Sequence, residues 1–258
     1  MMTSSMSARR AFLTSAIFLA LLAGLALLVL NTEAVSGFDQ LAIDGVMASR
    51  NAANDWIVVL VTLLGDGTAL TLIGVGIVLA LALRAAWWPA AGCAAVFLST
   101  PFIVKAIKLL VGRERPVADL YTGVESFSFP SGHMTNSMVI YGALAMLAAR
   151  AFSGAGRAVA LAGLTALIVS IGASRVYLGA HWPSDVVAAI LLASAMLSII
   201  WWTFSKEPPA TEFFRAVLLV MVFTAAVWGV YGFLTLEVAL DRYALDVTPE
   251  GTIELEPE

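Results

Sequence analysis

Seven apolar blocks run along the chain, at 11–30, about 68–84, 88–111, 132–150, 157–176, 183–204 and 213–236, with polar stretches between them. Each is close to the roughly 20 residues that a helix rising 1.5 Å per residue needs to cross a hydrocarbon core of about 30 Å. The runs are continuous, without the alternation of barrel strands, and backbone groups in lipid must be paired internally. The pattern predicts an all-α, polytopic transmembrane helical bundle of six core helices plus a seventh near the C-terminus. It reads as a single membrane domain over 1–258, closed by an acidic tail at 237–258.

The first block follows Arg9 and Arg10. Its apolar core is longer than a signal peptide's usual 7–15 residues, so an uncleaved anchor helix is expected despite the small-x-small site at Ala34-Val35-Ser36. The stretch Ile43 to Leu64 is expected to be partly a helix lying at the interface, and Gly65-Asp66-Gly67 leads into the second block, with Asp66 as a polar helix start. Trp87, Trp88 and Pro89 open the third block as interface and first-turn residues should.

Composition fits this picture: 60% of residues are hydrophobic and 12% charged, against about 25% charged in a soluble domain. The lone cysteine, Cys93, lies inside an apolar run and reads as a small core residue. One cysteine and two separated histidines make no metal-ligand cluster, so no metal, cofactor or nucleic-acid partner is expected.

Charge distribution sets the orientation. With the N-terminus in the cytoplasm, Arg9, Arg10, Arg84, Arg150, Arg157, Lys206 and Arg215 fall inside, and nearly all carboxylates outside, Glu207 and Glu212 excepted. Loops 112–131 and 174–182 then face the exterior, and Arg50 and Arg242 are ordinary outside charges. An integral protein of a bacterial inner membrane, its polar face toward the periplasm or exterior, is expected.

Three polar clusters share that face: KLLVGRERP at 108–116, PSGH at 130–133 and SRVYLGAHWPSD at 174–185. Taken singly, each has an ordinary structural reading. Lys108 could snorkel, Pro-Ser-Gly is a common helix cap, and His181 with Asp185 could be a surface ion pair. Taken together they place both histidines of the chain beside three cations. Arg115 and Arg175 offer forks suited to tetrahedral oxyanions, with Lys108 as a third cation. Ser131 is a natural N-cap, and Gly132 lets an anion approach the amides of a helix start. Asp185 lies one turn after His181 and can set its tautomer, freeing the other nitrogen as a nucleophile. His133 is placed to protonate a leaving oxygen. Lys105 and Arg113 are weaker candidates. The set describes metal-free phosphoryl transfer by positioning and charge stabilisation.

At these residues the sequence resembles the type 2 phosphatidic acid phosphatase family. Its signature K-x6-R-P, P-S-G-H, S-R-x5-H-x3-D is matched by Lys108 to Arg115-Pro116, Pro130 to His133, and Ser174-Arg175 to His181 and Asp185. The resemblance covers about 60–205 and leaves out the block at about 213–236 and the tail. It implies a phosphohistidine at His181 supported by Asp185. His133 would be the general acid, and Lys108, Arg115, Ser131, Gly132 and Arg175 would bind phosphate. It further implies a membrane lipid phosphate as substrate, of phosphatidate, phosphatidylglycerophosphate, undecaprenyl diphosphate or lipid A type. Alternatives are a phosphotransferase to another hydroxyl, and a non-enzymatic binder or transporter of anionic lipid. Charges gathered at one face instead of the midplane count against transport. The dense spanning blocks count against a soluble vanadium haloperoxidase, which shares the motifs.

Overall fold

The computed structural model describes residues 7–117, 123–206 and 213–243, and their regular structure is helical. α1 (Ala8–Asn31) lies along α8 (Pro183–Phe204), tied to it by a hydrogen bond from the Ser15 hydroxyl to the Ala195 carbonyl at 2.8 Å. α4 (Gly67–Leu83), α5 (Trp87–Val111), α6 (Gly132–Ala151) and α7 (Gly154–Tyr177) follow, and α9 (Phe213–Tyr243) closes the bundle. Among the described residues, six stretches are long and apolar enough to cross a membrane: α1, Ala53–Leu83, α5, α7, α8 and Phe214–Tyr243.

α6 is not among those six, although the block 132–150 was expected to be one of the spans. It packs against α4, α5, α7, α8 and α9. Buried Thr135 and Ser137 and half-buried Asn136 are tolerable in such a helix and lower its apolarity.

Two boundaries differ from expectation. Instead of one partly interfacial helix over Ile43–Leu64 there are two, α2 (Glu33–Met47) and α3 (Ala52–Leu63). Asn51 separates them, its side chain accepting from the Asn54 amide at 3.0 Å as an N-cap. α3 packs beside α7 and α9 and leads through a tight turn into α4, which Asp66 caps by accepting from the Thr68 amide at 2.8 Å. The last helix also runs seven residues beyond the expected end at 236, to Tyr243. Leu236, Ala239, Leu240 and Tyr243 recur at helical spacing and pack on Val59 and Leu63 of α3, which extends the helix into the stretch read as tail.

Helices in lipid gain little from apolar burial, so shape and interhelical hydrogen bonds must hold them. At the α3–α4 turn the Tyr141 hydroxyl donates to the Leu64 carbonyl at 2.5 Å, and Trp228 Nε1 donates to the Tyr141 oxygen at 3.0 Å. This chain pairs a carbonyl exposed by the helix break and fastens α9 to α6.

Candidate active site

Each of the three polar clusters sits at a helix end, and the ends converge. α5 stops at Gly112, whose left-handed backbone (φ 61°) lets its amide donate to the Lys108 carbonyl at 2.8 Å. Lys108 therefore lies in the last turn and Arg113 and Arg115 just beyond it. α6 starts after Ser131, whose hydroxyl accepts from the Met134 amide at 3.4 Å. Ser131's own amide donates to the Asp185 carbonyl at 3.2 Å, which joins the second cluster to the third. The amides of Gly132 and His133 open the helix, where no carbonyl of its own can take them.

Between α7 and α8 the chain turns at Gly179 (φ 68°). A side chain there would lie 2.4 Å from Met47 and 2.7 Å from Val117, besides the strain of the left-handed backbone. The turn delivers His181 to the start of α8, where Pro183 is the first helical residue.

His181 is the centre of the cluster and is 2% exposed. Its Nδ1 lies 3.5 Å from Asp185 Oδ2, close enough for charge interaction but longer than a hydrogen bond. Its Nε2 lies 3.1 Å from Arg115 Nη1. A guanidinium can only donate, so Nε2 carries the lone pair and Nδ1 the proton that faces Asp185. Burial first, then the charges of Arg115, Arg175 and Lys108, hold the His181 pKa well below the usual 6.5. Half-buried His133 lies in the field of Arg175, His181, Arg115 and Lys108. All eight predicted site residues thus fall in one cluster at one end of the bundle.

The cations are buried and each has protein partners. Arg115 also donates from Nη1 to the Ala180 carbonyl at 2.5 Å and from Nε to the Glu125 carbonyl at 2.8 Å. Lys108 Nζ pairs at 2.7 Å with the carboxylate of Glu125, which sits on a 3-10 turn at Gly123–Ser126. Arg175, fully buried, donates from Nη1 to Thr62 Oγ1 at 2.7 Å and to the Tyr243 hydroxyl at 2.9 Å. Lys105 is exposed.

Arg113, a weak candidate by sequence, proves central. Its Nη1 donates to Asp185 Oδ1 at 2.8 Å and to the Ser184 hydroxyl at 2.7 Å, and its Nη2 donates to Asp39 Oδ2 at 2.7 Å. Its guanidinium also lies over the Trp182 ring, 5.2 Å from the centroid. Asp39, on α2 and fully buried, accepts from the Ser184 amide at 3.0 Å and is also bonded to the Ser184 hydroxyl. Asp185 Oδ2 accepts from the Trp182 amide at 2.9 Å. Two carboxylates thus satisfy amides at the start of α8, where negative charge is favoured, and Arg113 bridges them. Arg113 falls at one of the unspecified positions of K-x6-R-P, so the motif carries no signal for it. Nothing local pointed to Asp39, which meets Ser184 across 145 residues.

A helical membrane protein with two histidines beside a cluster of buried cations at one end of its bundle is the class that fold and site define. Residues 88–209, a little under half of the chain, match the family described as PAP2 superfamily. It is similar to phosphatidylglycerophosphatase B of Bacillus subtilis (strain 168), 30% identical over 109 residues, which span 41% of this chain and 53% of that relative. It is also similar to phosphatidylglycerophosphatase B of Escherichia coli (strain K12), 32% identical over 91 residues, spanning 33% of this chain and 34% of that protein. The matched segments thus cover about half and about one third of these relatives. A crystal structure of a transmembrane PAP2 type phosphatidylglycerolphosphate phosphatase from Bacillus subtilis shares the fold, with a TM-score of 0.59 and 24% identity. That likeness covers 75% of this chain and 94% of the other.

Proposed function

We propose that the chain is a lipid phosphate phosphatase that hydrolyses a phosphate ester or diphosphate through a phosphohistidine. The observation that carries this reading is the placement of His181: Nδ1 toward Asp185, and Nε2, bearing the lone pair, toward the cation cluster. In the first step Nε2 attacks phosphorus, forming a P–N bond as the P–O bond to the lipid breaks. His133 gives its proton to the departing oxygen. In the second step His133 takes a proton from water, the water oxygen bonds to phosphorus, and the P–N bond breaks to release phosphate. Nδ1 keeps its proton throughout, with Asp185 balancing the positive charge the ring gains. Lys108, Arg115, Arg175 and the α6 amides hold the phosphoryl oxygens, with Ser131 capping that helix. An entering phosphoryl group takes over the Arg115 bond to His181 and displaces Glu125 from Lys108.

A lipid substrate is supported by the surroundings of His133. A groove of about 630 Å³ between α4, α5 and α6 is lined by apolar residues including Leu70, Phe97, Phe102 and Ile140. Asn136, one turn after His133, also lines it. Acyl chains lying there would present a headgroup to the histidines. The relatives' names make phosphatidylglycerophosphate the first substrate to test. The Lys and Arg distribution supports an inner-membrane protein with the site on the outer side.

The test is phosphate release by purified protein, with chelator present, from phosphatidylglycerophosphate, phosphatidate, undecaprenyl diphosphate and lipid A. Release from at least one is expected, with a loss of at least about a hundredfold in His181→Ala. Undiminished release by that variant, or labelled phosphate trapped on any other residue, overturns the mechanism.

A further inference from the structure

α9 lies wholly beyond residues 88–209, the segment matched to the family. Its last residue nevertheless reaches the cation cluster. The Tyr243 hydroxyl accepts from Arg175 Nη1 at 2.9 Å, and the Arg175 guanidinium carbon lies 5.5 Å from the centroid of the Tyr243 ring. Thr62, on α3 and equally outside the matched segment, accepts from the same nitrogen at 2.7 Å. Two acceptors on one nitrogen and an aromatic ring beside the carbon fix where a planar fork sits and how it is turned. That fork matters to both histidines: among the charges acting on His133, Arg175 is the strongest, and on His181 it is second to Arg115.

Tyr243 is itself held firmly. Arg50 Nη2 donates to its carbonyl at 2.8 Å while pairing with Asp55 at 2.7 Å. The ring packs in a small cluster with Val59, Leu63, Leu178 and Ala239. Further along α9, Trp228 fixes the helix to Tyr141. A phenylalanine would fill the same apolar space, so what the tyrosine adds is a hydroxyl aimed at Arg175.

We propose that α9 supplies Tyr243 as a positioning residue, which with Thr62 orients the guanidinium of Arg175 in the phosphate site. This rests on the phosphatase reading, in which Arg175 binds the phosphoryl group. It gives the C-terminal helix a role in the chemistry as well as in the bundle.

The test is a double-mutant cycle on the purified full chain. Tyr243→Phe keeps the ring and removes the hydroxyl; Arg175→Lys keeps the charge and removes the fork. Two readouts are taken: binding of orthovanadate by calorimetry, and kcat and KM for lipid phosphate release. Tyr243→Phe is expected to weaken vanadate binding about tenfold and to lower kcat/KM by a similar factor, the scale of one hydrogen bond to a charged group. In the Arg175→Lys background the same change should cost less than about threefold, because the fork it orients is gone. Thr62→Val should show the same dependence, and carries the test if Tyr243→Phe misfolds. Equal losses in both backgrounds, or no loss in either, overturn the positioning role. Coupled vanadate binding without release of phosphate from any lipid would uphold that role and overturn the phosphatase reading. Turnover by the parent matched by Tyr243→Phe would do the reverse. A parent that neither binds vanadate nor turns over would sink both.

Discussion

Replacing Arg113 by methionine removes the bridge between Asp39 and Asp185 while filling similar space. Three hydrogen bonds go with it, two to buried carboxylates and one to the Ser184 hydroxyl. Both carboxylates are fully buried and would lose their shared counter-charge. Leaving a buried charge without its partner costs about 3–5 kcal/mol. Spread over a chain of 258 residues, that lowers the thermal midpoint by roughly 10 °C. The catalytic cost is separate: an Asp185 without its Arg113 bond holds His181 less well, and a loss of about 1.4–2.8 kcal/mol there is ten- to a hundredfold in kcat/KM. Arg113→Lys keeps the charge but offers one nitrogen in place of the two that Arg113 uses, so it should fall between parent and methionine variant. The measurements are thermal unfolding in detergent and phosphate release at neutral pH. A methionine variant with parental midpoint and parental kcat/KM would refute the reasoning.

Other expectations follow from the same geometry. His181 has its folded pKa well below 6.5, so between that value and about 6.5 the unfolded chain binds more protons and stability falls as the pH falls. Unfolding followed from pH 8 to 5 should show that decline below about 6.5, and an acid limb in kcat/KM assigned to His181 should lie below that pH. His133→Ala should lower turnover of lipid substrates by 10²- to 10⁴-fold but spare the first step with a leaving group that needs no proton, such as a nitrophenyl phosphate; single-turnover kinetics would show it. Glu125→Gln should lower KM several-fold, because Lys108 no longer trades a carboxylate for the phosphate; a raised KM would show that Glu125 helps binding.

The three clusters were legible because polar residues stand out in an apolar chain, and helix-end chemistry gives them meaning. Asp185 one turn from His181, Pro183 opening a helix and Ser131 capping one are local facts, and short-range geometry suffices for them. Asp39, Thr62 and Tyr243 were not legible: each meets its partner across dozens to more than a hundred residues, and none stands in a local pattern that names the partner. Tyr243 was obscured further by the acidic residues around it, which made the end of α9 look like tail until Leu236, Ala239 and Leu240 were seen packed on α3. Arg113 lay in plain view between Lys108 and Arg115, but its value depends on α2, whose docking site the sequence pattern does not disclose.

α6 carries His133 in its first turn, where the three polar clusters meet, and it is not among the stretches apolar enough to cross a membrane. Only Phe152 and Ser153 separate it from α7. A segment of that kind gains less from lipid than its neighbours, so its place depends on the contacts it makes with α4, α5, α7, α8 and α9. The cluster at the end of the bundle depends on that packing: with α6 displaced, the chain would hold all eight predicted residues and no longer bring them together.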